Sequence, residues 1–214
     1  MNYLYLGKCF LVGVSAASAI GPIFVLTFNN AALHGFFRGF CTALGAALGD
    51  GFLLFLGLLG ALNVLETSTK YQIIIDFAGG ILLVLFGISM IFAHRDVDTQ
   101  AAISLDSTIS SIVKAFVSTT INPLALFFFM FISTQILSTQ KTVLSLTEIA
   151  TGSGMAALGS LTVFTLVAYL ARVVGNAISS GNLRILSIVT GTIVIIIGGY
   201  FCIDGVQELI KLLQ

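Results

Sequence analysis

The sequence predicts an all-α integral membrane protein with six transmembrane helices. Of its 214 residues, 57% are hydrophobic and only 8% are charged, whereas a soluble domain carries about 25% charged residues. The apolar residues are gathered into six runs, each long enough to approach or exceed the about 20 residues that cross a bilayer as a helix. Lipid is the natural solvent for such a surface. We therefore expect a multi-pass protein of a cell membrane, with the bacterial inner membrane as the expected location.

The six apolar runs, called spans 1 to 6 here, are separated by short polar connections with one exception. None of them has the alternating period of a transmembrane β-strand. The exception is loop 94–111, which carries three aspartates. It divides the chain into two three-span units, residues 1–93 and residues 112–214. In order, the predicted spans cover residues 3–28, 37–62, 72–93, 112–137, 145–170 and 184–204.

The two three-span units resemble each other in sequence. Gly21-Pro22 in span 1 corresponds to Asn122-Pro123 in span 4, and segment 79–90 aligns without a gap on segment 191–202. Because each unit has an odd number of spans, the second must enter the membrane from the opposite side. Inverted repeats of this kind are common in secondary transporters. Small residues in spans 2 and 5 extend the match: Gly45, Gly49, Gly154 and Gly159.

The two prolines of the chain, Pro22 and Pro123, each lie near the middle of a predicted span. A proline inside a helix removes a backbone donor and displaces a carbonyl group. In hydrocarbon, the freed backbone is tolerated only where it faces protein, water or a cavity. Gly21 and Asn122, directly before the prolines, tolerate non-helical backbone. We therefore expect spans 1 and 4 to be broken and these four residues to bind substrate. The alternative is a pair of structural kinks filled by neighbouring side chains.

Hydroxyl side chains precede both breaks and add Ser18 and Thr119 to the candidate substrate-binding residues. They have two interpretations. The hydroxyl groups either contact substrate or donate back to the carbonyl groups of their own helix. The two clusters consist of Ser15, Ser18, Ser118, Thr119 and Thr120.

Asp50 lies well inside span 2. A carboxylate at that depth costs about 2.5 to 3.5 kcal/mol on insertion scales. It should therefore face the interior of the bundle. We expect Asp50 to couple transport to a proton or cation, or to pair with a substrate amine. The alternative is a protonated acid that only joins two helices. Span 5 has no equivalent acid, and Ser160 or Thr162 takes the corresponding place.

These motifs resemble the lysine-exporter (LysE/RhtB) superfamily over nearly the whole chain. The first half carries Ala19-Ile20-Gly21-Pro22, His34-Gly35 with Arg38-Gly39, and Gly45-x3-Gly49-Asp50; the second carries Ile121-Asn122-Pro123-Leu124-Ala125 before an aromatic run. The resemblance implies two inverted three-helix repeats and export of amino acids coupled to a proton or cation gradient. It points to Gly21, Pro22, Asp50, Asn122 and Pro123 as functional positions.

Two departures from the family pattern leave the amino acid open. Lysine-type members have Gln-Asn after the Gly-Pro, and this chain has Ile23-Phe24. RhtB-type members have a proline directly before the Gly-Pro, whereas this chain has Ile20 at that position. The sequence therefore predicts a secondary exporter, acting as an antiporter, of amino acids or similar small metabolites.

Other functions fit the residues less well. A metal-ion exporter of related architecture is the first alternative, but the spans hold no histidine and no paired acids for a metal to bind. A thiol-based electron transporter needs cysteines in both broken spans, and only span 1 has one, Cys9. An intramembrane enzyme would need a nucleophile–base pair, and none is visible. A purely structural membrane protein is the last alternative. We expect no enzymatic activity, no cofactor and no bound metal.

The expected partners are a small-molecule substrate and the lipid bilayer. The formal net charge of zero gives no electrostatic reason to expect nucleic acid. The spacing Gly45-x3-Gly49 allows another helix to approach closely. We interpret it first as packing within the protomer and second as a homodimer surface.

Overall fold

The structure is a computed structural model of the chain, and its described residues are almost entirely helical. They are 3–19, 21–65, 77, 79–81, 83–85, 87–88, 91–92, 108–140, 143–174, 188–189, 191–192, 194–196, 198–200, 202–203 and 205–207. No strand occurs among them, which confirms the all-α prediction for this part of the chain. The main helices are α1 (Tyr3–Ser18), α2 (Pro22–His34), α3 (Phe36–Leu65), α4 (Thr108–Thr120), α5 (Pro123–Ser138) and α6 (Leu146–Val174).

Two of these helices are long and apolar enough to cross a bilayer, over Phe36–Leu62 in α3 and Leu146–Val173 in α6. Two bent pairs supply further spans. The pair α1 and α2 bends by 73°, and the pair α4 and α5 by 64°. The described residues therefore hold up to four spans. About half of predicted spans 3 and 6 and most of loop 94–111 fall outside the described residues, so the arrangement of six spans stays a prediction.

Both breaks place a proline at the first position of a helix. Gly21 has extended backbone (φ −102°, ψ −179°) and precedes Pro22, which begins α2. Pro123 begins α5 in the same way, directly after Asn122. The first residue of a helix needs no backbone N–H, and the fixed φ of proline suits that position. The prolines therefore start new helices, whereas a kink would leave one helix continuous.

Close packing through glycines pairs each half-helix before a break with the long helix of the other unit. A β-carbon on Gly13 of α1 would overlap the backbone of Ala156 in α6, and one on Gly45 of α3 would overlap that of Ile112 in α4. Gly159 likewise packs on α1. A β-carbon on Gly154, which the sequence comparison grouped with Gly159 as the counterparts of Gly45 and Gly49, would meet no described atom within 4 Å. The long helices α3 and α6 also pack on each other.

A sharp turn at Gly35 joins α2 to α3. Its φ of +89° and ψ of 164° lie in a region that is essentially restricted to glycine. The Gly35 N–H closes α2 by donating to the carbonyl oxygen of Ala31 at 3.0 Å. This turn folds α2 back onto α3, against which it packs.

The described residues of the two aligned segments, 79–90 and 191–202, approach each other through small residues. A β-carbon on Gly80 would lie 2.9 Å from the carbonyl oxygen of Gly198, and one on Gly87 would lie 2.5 Å from that of Gly191. Because these contacts involve backbone atoms, larger residues at these positions would separate the two segments.

Candidate functional site

A cavity of about 430 Å³ lies between the two helix breaks. Its walls come from all six described helices, with Leu83 and Val194 from the segments of predicted spans 3 and 6. Pro123 is exposed and is not among the lining residues. The other residues predicted from the sequence all line the cavity: Ser18, Gly21, Pro22, Asp50, Thr119 and Asn122.

Asp50 is a buried residue of the cavity lining. Its side chain is 5% exposed, whereas the lining residues Ser18 and Pro22 are exposed. The hydroxyl of Ser160 lies 2.7 Å from Asp50 Oδ2 and 3.0 Å from the carbonyl oxygen of Gly13. Three helices, α1, α3 and α6, therefore meet at the carboxyl group. The sequence comparison gave Ser160 or Thr162 as the counterpart of Asp50 in the other unit, but it did not predict this contact.

The hydroxyl groups before the breaks divide into two kinds. Ser18 Oγ donates to the carbonyl oxygen of Val14 at 2.7 Å, and Thr120 Oγ1 donates to that of Phe116 at 3.0 Å. These groups stabilise the ends of their own helices, as the back-bonding interpretation expects. Thr119 differs: it is 3% exposed, and its hydroxyl has no hydrogen-bond partner in the described part of the chain. Thr119 therefore brings to the cavity wall a hydroxyl whose hydrogen-bonding capacity is unused by the described residues.

The N-termini of α2 and α5 also reach the cavity. Ile23 and Phe24 of α2 and Ala125 of α5 belong to its lining. The first N–H groups of a helix have no acceptor within the helix, and the aligned peptide dipoles give this end a partial positive charge. Gly21 provides no side-chain cap for α2. The site thus combines two helix ends that favour an anion with one acid that favours a cation.

The rest of the lining is apolar and strongly aromatic. Asp50 is the only ionisable side chain among the described lining residues. The rings of Phe128 and Phe129 pack edge to face with centroids 5.2 Å apart. Sequence reasoning did not predict these rings as part of the site, because phenylalanines are just as common in lipid-facing and core positions of an apolar span. Their position close after the two breaks was the available signal. The aromatic lining residues are Phe24, Phe128, Phe129, Phe131 and Phe164.

Comparison with known proteins identifies the family. The sequence model of the LysE type translocators matches residues 14–205, a stretch that includes both breaks and Asp50. The chain belongs to the LysE type translocator family. As a LysE type translocator it is a transporter and not an enzyme, and it is a multi-pass membrane protein that moves a small molecule across a bilayer. The resemblance seen in the sequence motifs is thereby confirmed.

A relative in Synechocystis sp. supports the membrane assignment. It is described as the uncharacterized membrane protein slr1627 and is 28% identical over 195 residues. The match covers 88% of this chain and 91% of the relative, so the two proteins correspond over nearly their whole lengths. No solved structure matches the chain.

Proposed function

We propose that this LysE type translocator is a secondary active exporter of amino acids, or of similar small zwitterions, in the inner membrane of a bacterium. One observation carries the proposal. A single cavity holds the N-termini of α2 and α5 at one part of its wall and the carboxyl group of Asp50 at another. An amino acid carries one negative and one positive group, and the cavity offers a complementary environment to each. Its volume of about 430 Å³ lies within the range typical of small-molecule sites.

The two helix ends are the proposed binding place for the substrate carboxylate. The first N–H groups of each helix, which have no acceptor within the helix, and the helix dipole favour a negative charge there. Broken helices hold substrate carboxylates in this way in other secondary transporters. The hydroxyl of Thr119, buried and without a partner among the described residues, adds a donor beside the second break.

Asp50 is the proposed site of the amine and of ion coupling. A carboxyl group that is 5% exposed and faces the cavity can pair with a substrate ammonium group, a proton or a small cation. These ligands would compete for one carboxylate, because Asp50 is the only acid among the described lining residues. Competition of this kind lets an ion gradient drive the substrate out by exchange.

Alternating access is the proposed mode of transport, with residues 1–93 and 112–214 acting as two inverted repeats. Its support is the reciprocal packing of the two units: α1 lies on α6, and α4 lies on α3. In the proposed cycle, each half-helix before a break moves together with the long helix of the opposite unit. Rocking of one such pair against the other would open the cavity first to one side of the membrane and then to the other.

The test is efflux of labelled amino acids from loaded proteoliposomes under an imposed pH or cation gradient. We expect the parent protein to transport in response to the gradient and Asp50→Asn to lose that response. Glu148→Gln is the matched control. It also replaces an acid by its amide, but Glu148 lies outside the cavity, and glutamine can replace it in the capping box with Ser145. If no amino acid moves, or if Asp50→Asn keeps the full gradient response, the proposal is wrong.

A further inference from the structure

Ser160 faces two acceptors with one proton. The side chain is fully buried, and its oxygen lies 2.7 Å from Asp50 Oδ2 and 3.0 Å from the carbonyl oxygen of Gly13. A serine hydroxyl donates one hydrogen bond and accepts others. It therefore cannot make a full hydrogen bond to Asp50 and to Gly13 at the same time. The protonation state of Asp50 decides which of the two acceptors receives the hydrogen bond from Ser160.

The two protonation states of Asp50 give two arrangements of the hydroxyl group. When Asp50 is a carboxylate, it can only accept, and the charge-assisted bond from Ser160 is the stronger choice. When Asp50 takes up one proton from water, its own O–H can donate to Ser160 Oγ. The proton of Ser160 is then free to turn to the carbonyl oxygen of Gly13. Apart from the bond to the added proton, only hydrogen bonds change.

We propose that Ser160 is a positioning residue that transmits the protonation of Asp50 to the contact between α1 and α6. Gly13 lies where these helices touch, because a β-carbon there would overlap the backbone of Ala156. It is also in the last two turns of α1, which ends at Ser18 before the first break. Protonation adds a hydrogen bond from Ser160 to α1, and ionisation removes it. The inference rests on the proposed function only where it concerns transport.

No other titratable side chain among the described residues lines the cavity or hydrogen-bonds to Asp50. Helix α5 holds no titratable side chain, and those on the other helices packed around α3 lie outside the lining. The titratable groups on these elements and on α3 are Tyr3, Tyr5, Lys8, Cys9, His34, Arg38, Cys41, Lys114, Glu148, Tyr169 and Arg172. A pH-dependent change at the Ser160 hydroxyl is therefore assigned to Asp50.

The first test reads the carboxyl group directly and needs no substrate. Infrared difference spectra of the purified protein in lipid nanodiscs are recorded across a pH titration, and subtraction of Asp50→Asn isolates the C=O stretch of protonated Asp50. We expect Ser160→Ala to shift the frequency of this band. It should also move the midpoint upward by about one pH unit, because a bond to a carboxylate is worth more than one to a neutral acid. Ser160→Thr, which keeps the hydroxyl, should restore both.

Ser153→Ala is the matched control for this titration. Ser153 lies two turns earlier on the same helix, is 5% exposed, and has no hydrogen-bond partner in the described part of the chain. It should leave the band and its midpoint unchanged. An unaltered band in Ser160→Ala, an equal shift in Ser153→Ala, or an Asp50 that never titrates would each overturn the proposal.

The second test follows the link to α1. Hydrogen exchange of the peptide that covers Tyr3–Ser18 should slow as the pH falls through the Asp50 midpoint, after correction for the intrinsic pH dependence. In Ser160→Ala this added protection should be absent. Protection that persists in the variant would overturn the link. Both tests remain decisive if no amino acid is transported, so failure of this inference is distinguishable from failure of the proposed function.

Discussion

Thr119 of α4 packs directly on Gly49 of α3. A β-carbon at position 49 would lie 2.7 Å from Thr119 Cβ and 2.9 Å from its Cγ2. The methyl branch of Thr119 thus faces the glycine, and the hydroxyl is the branch that does not. Asp50 follows Gly49 in the chain. The contact between Gly49 and Thr119 therefore fixes the positions of the Asp50 carboxyl group and the Thr119 hydroxyl relative to each other.

Gly49→Ala should destabilise the protein by about 1 to 3 kcal/mol, since the new methyl group forces α3 and α4 apart. The measurement is the free energy of unfolding in mixed micelles titrated with a denaturing detergent. Gly60→Ala is the control on the same helix, because a β-carbon at Gly60 meets no described atom within 4 Å. Equal stabilities for the two variants would contradict the close packing of α3 and α4.

Thr119→Val should raise the KM for transport by about three- to tenfold, the worth of one hydrogen bond to substrate. Stability should not fall, because the hydroxyl has no partner among the described residues and its burial is not offset by a hydrogen bond to them. Ser111→Ala is the control: it removes another buried, unpaired hydroxyl from α4, at a residue outside the cavity lining. A parental KM in Thr119→Val would show that this hydroxyl does not contact substrate.

Gly35→Ala should cost about 1 to 3 kcal/mol of stability, because its backbone conformation is open only to glycine. This loss of stability would come from backbone strain and not from a steric clash, since the nearest described atom to a new β-carbon is 3.6 Å away, at Arg172. Gly35→Asn should be no better, although asparagine suits ordinary left-handed turns. Thermal unfolding of both variants checks this, with Gly7→Ala in α1 as the control in open space. Stable variants at position 35 would mean that the turn between α2 and α3 is different.

Amino acids with apolar side chains should compete for transport better than lysine does. Lysine has a second ammonium group on its side chain, and the described lining contains no acid besides Asp50 to pair with it. The aromatic rings of the lining favour apolar side chains instead. Inhibition of counterflow by leucine, phenylalanine and lysine measures this preference. Leucine methyl ester, which lacks the carboxylate, tests the helix ends and should inhibit poorly. Strong inhibition by lysine or by the ester would contradict the proposed mode of binding.

Local chemistry made part of this structure predictable. Pro22 and Pro123 predicted the two breaks, because a proline disturbs the helix through its own backbone and that of residues close to it in sequence. Asp50 was expected to be buried, because a charge facing lipid is costly. Its hydrogen bond to Ser160 was not predictable, since it joins residues 110 positions apart. The hydrogen bond of Ser18 to its own helix was not predictable either, because the same hydroxyl could equally contact substrate.

The packing of α1 on α6 has a consequence for biogenesis. Gly13 leaves the ribosome with α1, but its contact on α6, at Ala156, is synthesised about 140 residues later. At about 5 to 20 residues per second this delay lasts roughly 7 to 28 s. During that time α1 and α2 enter the membrane without their final neighbour. Insertion of the first helices and completion of the bundle are therefore separate events, and the cavity can only close around Asp50 once the second unit has been made.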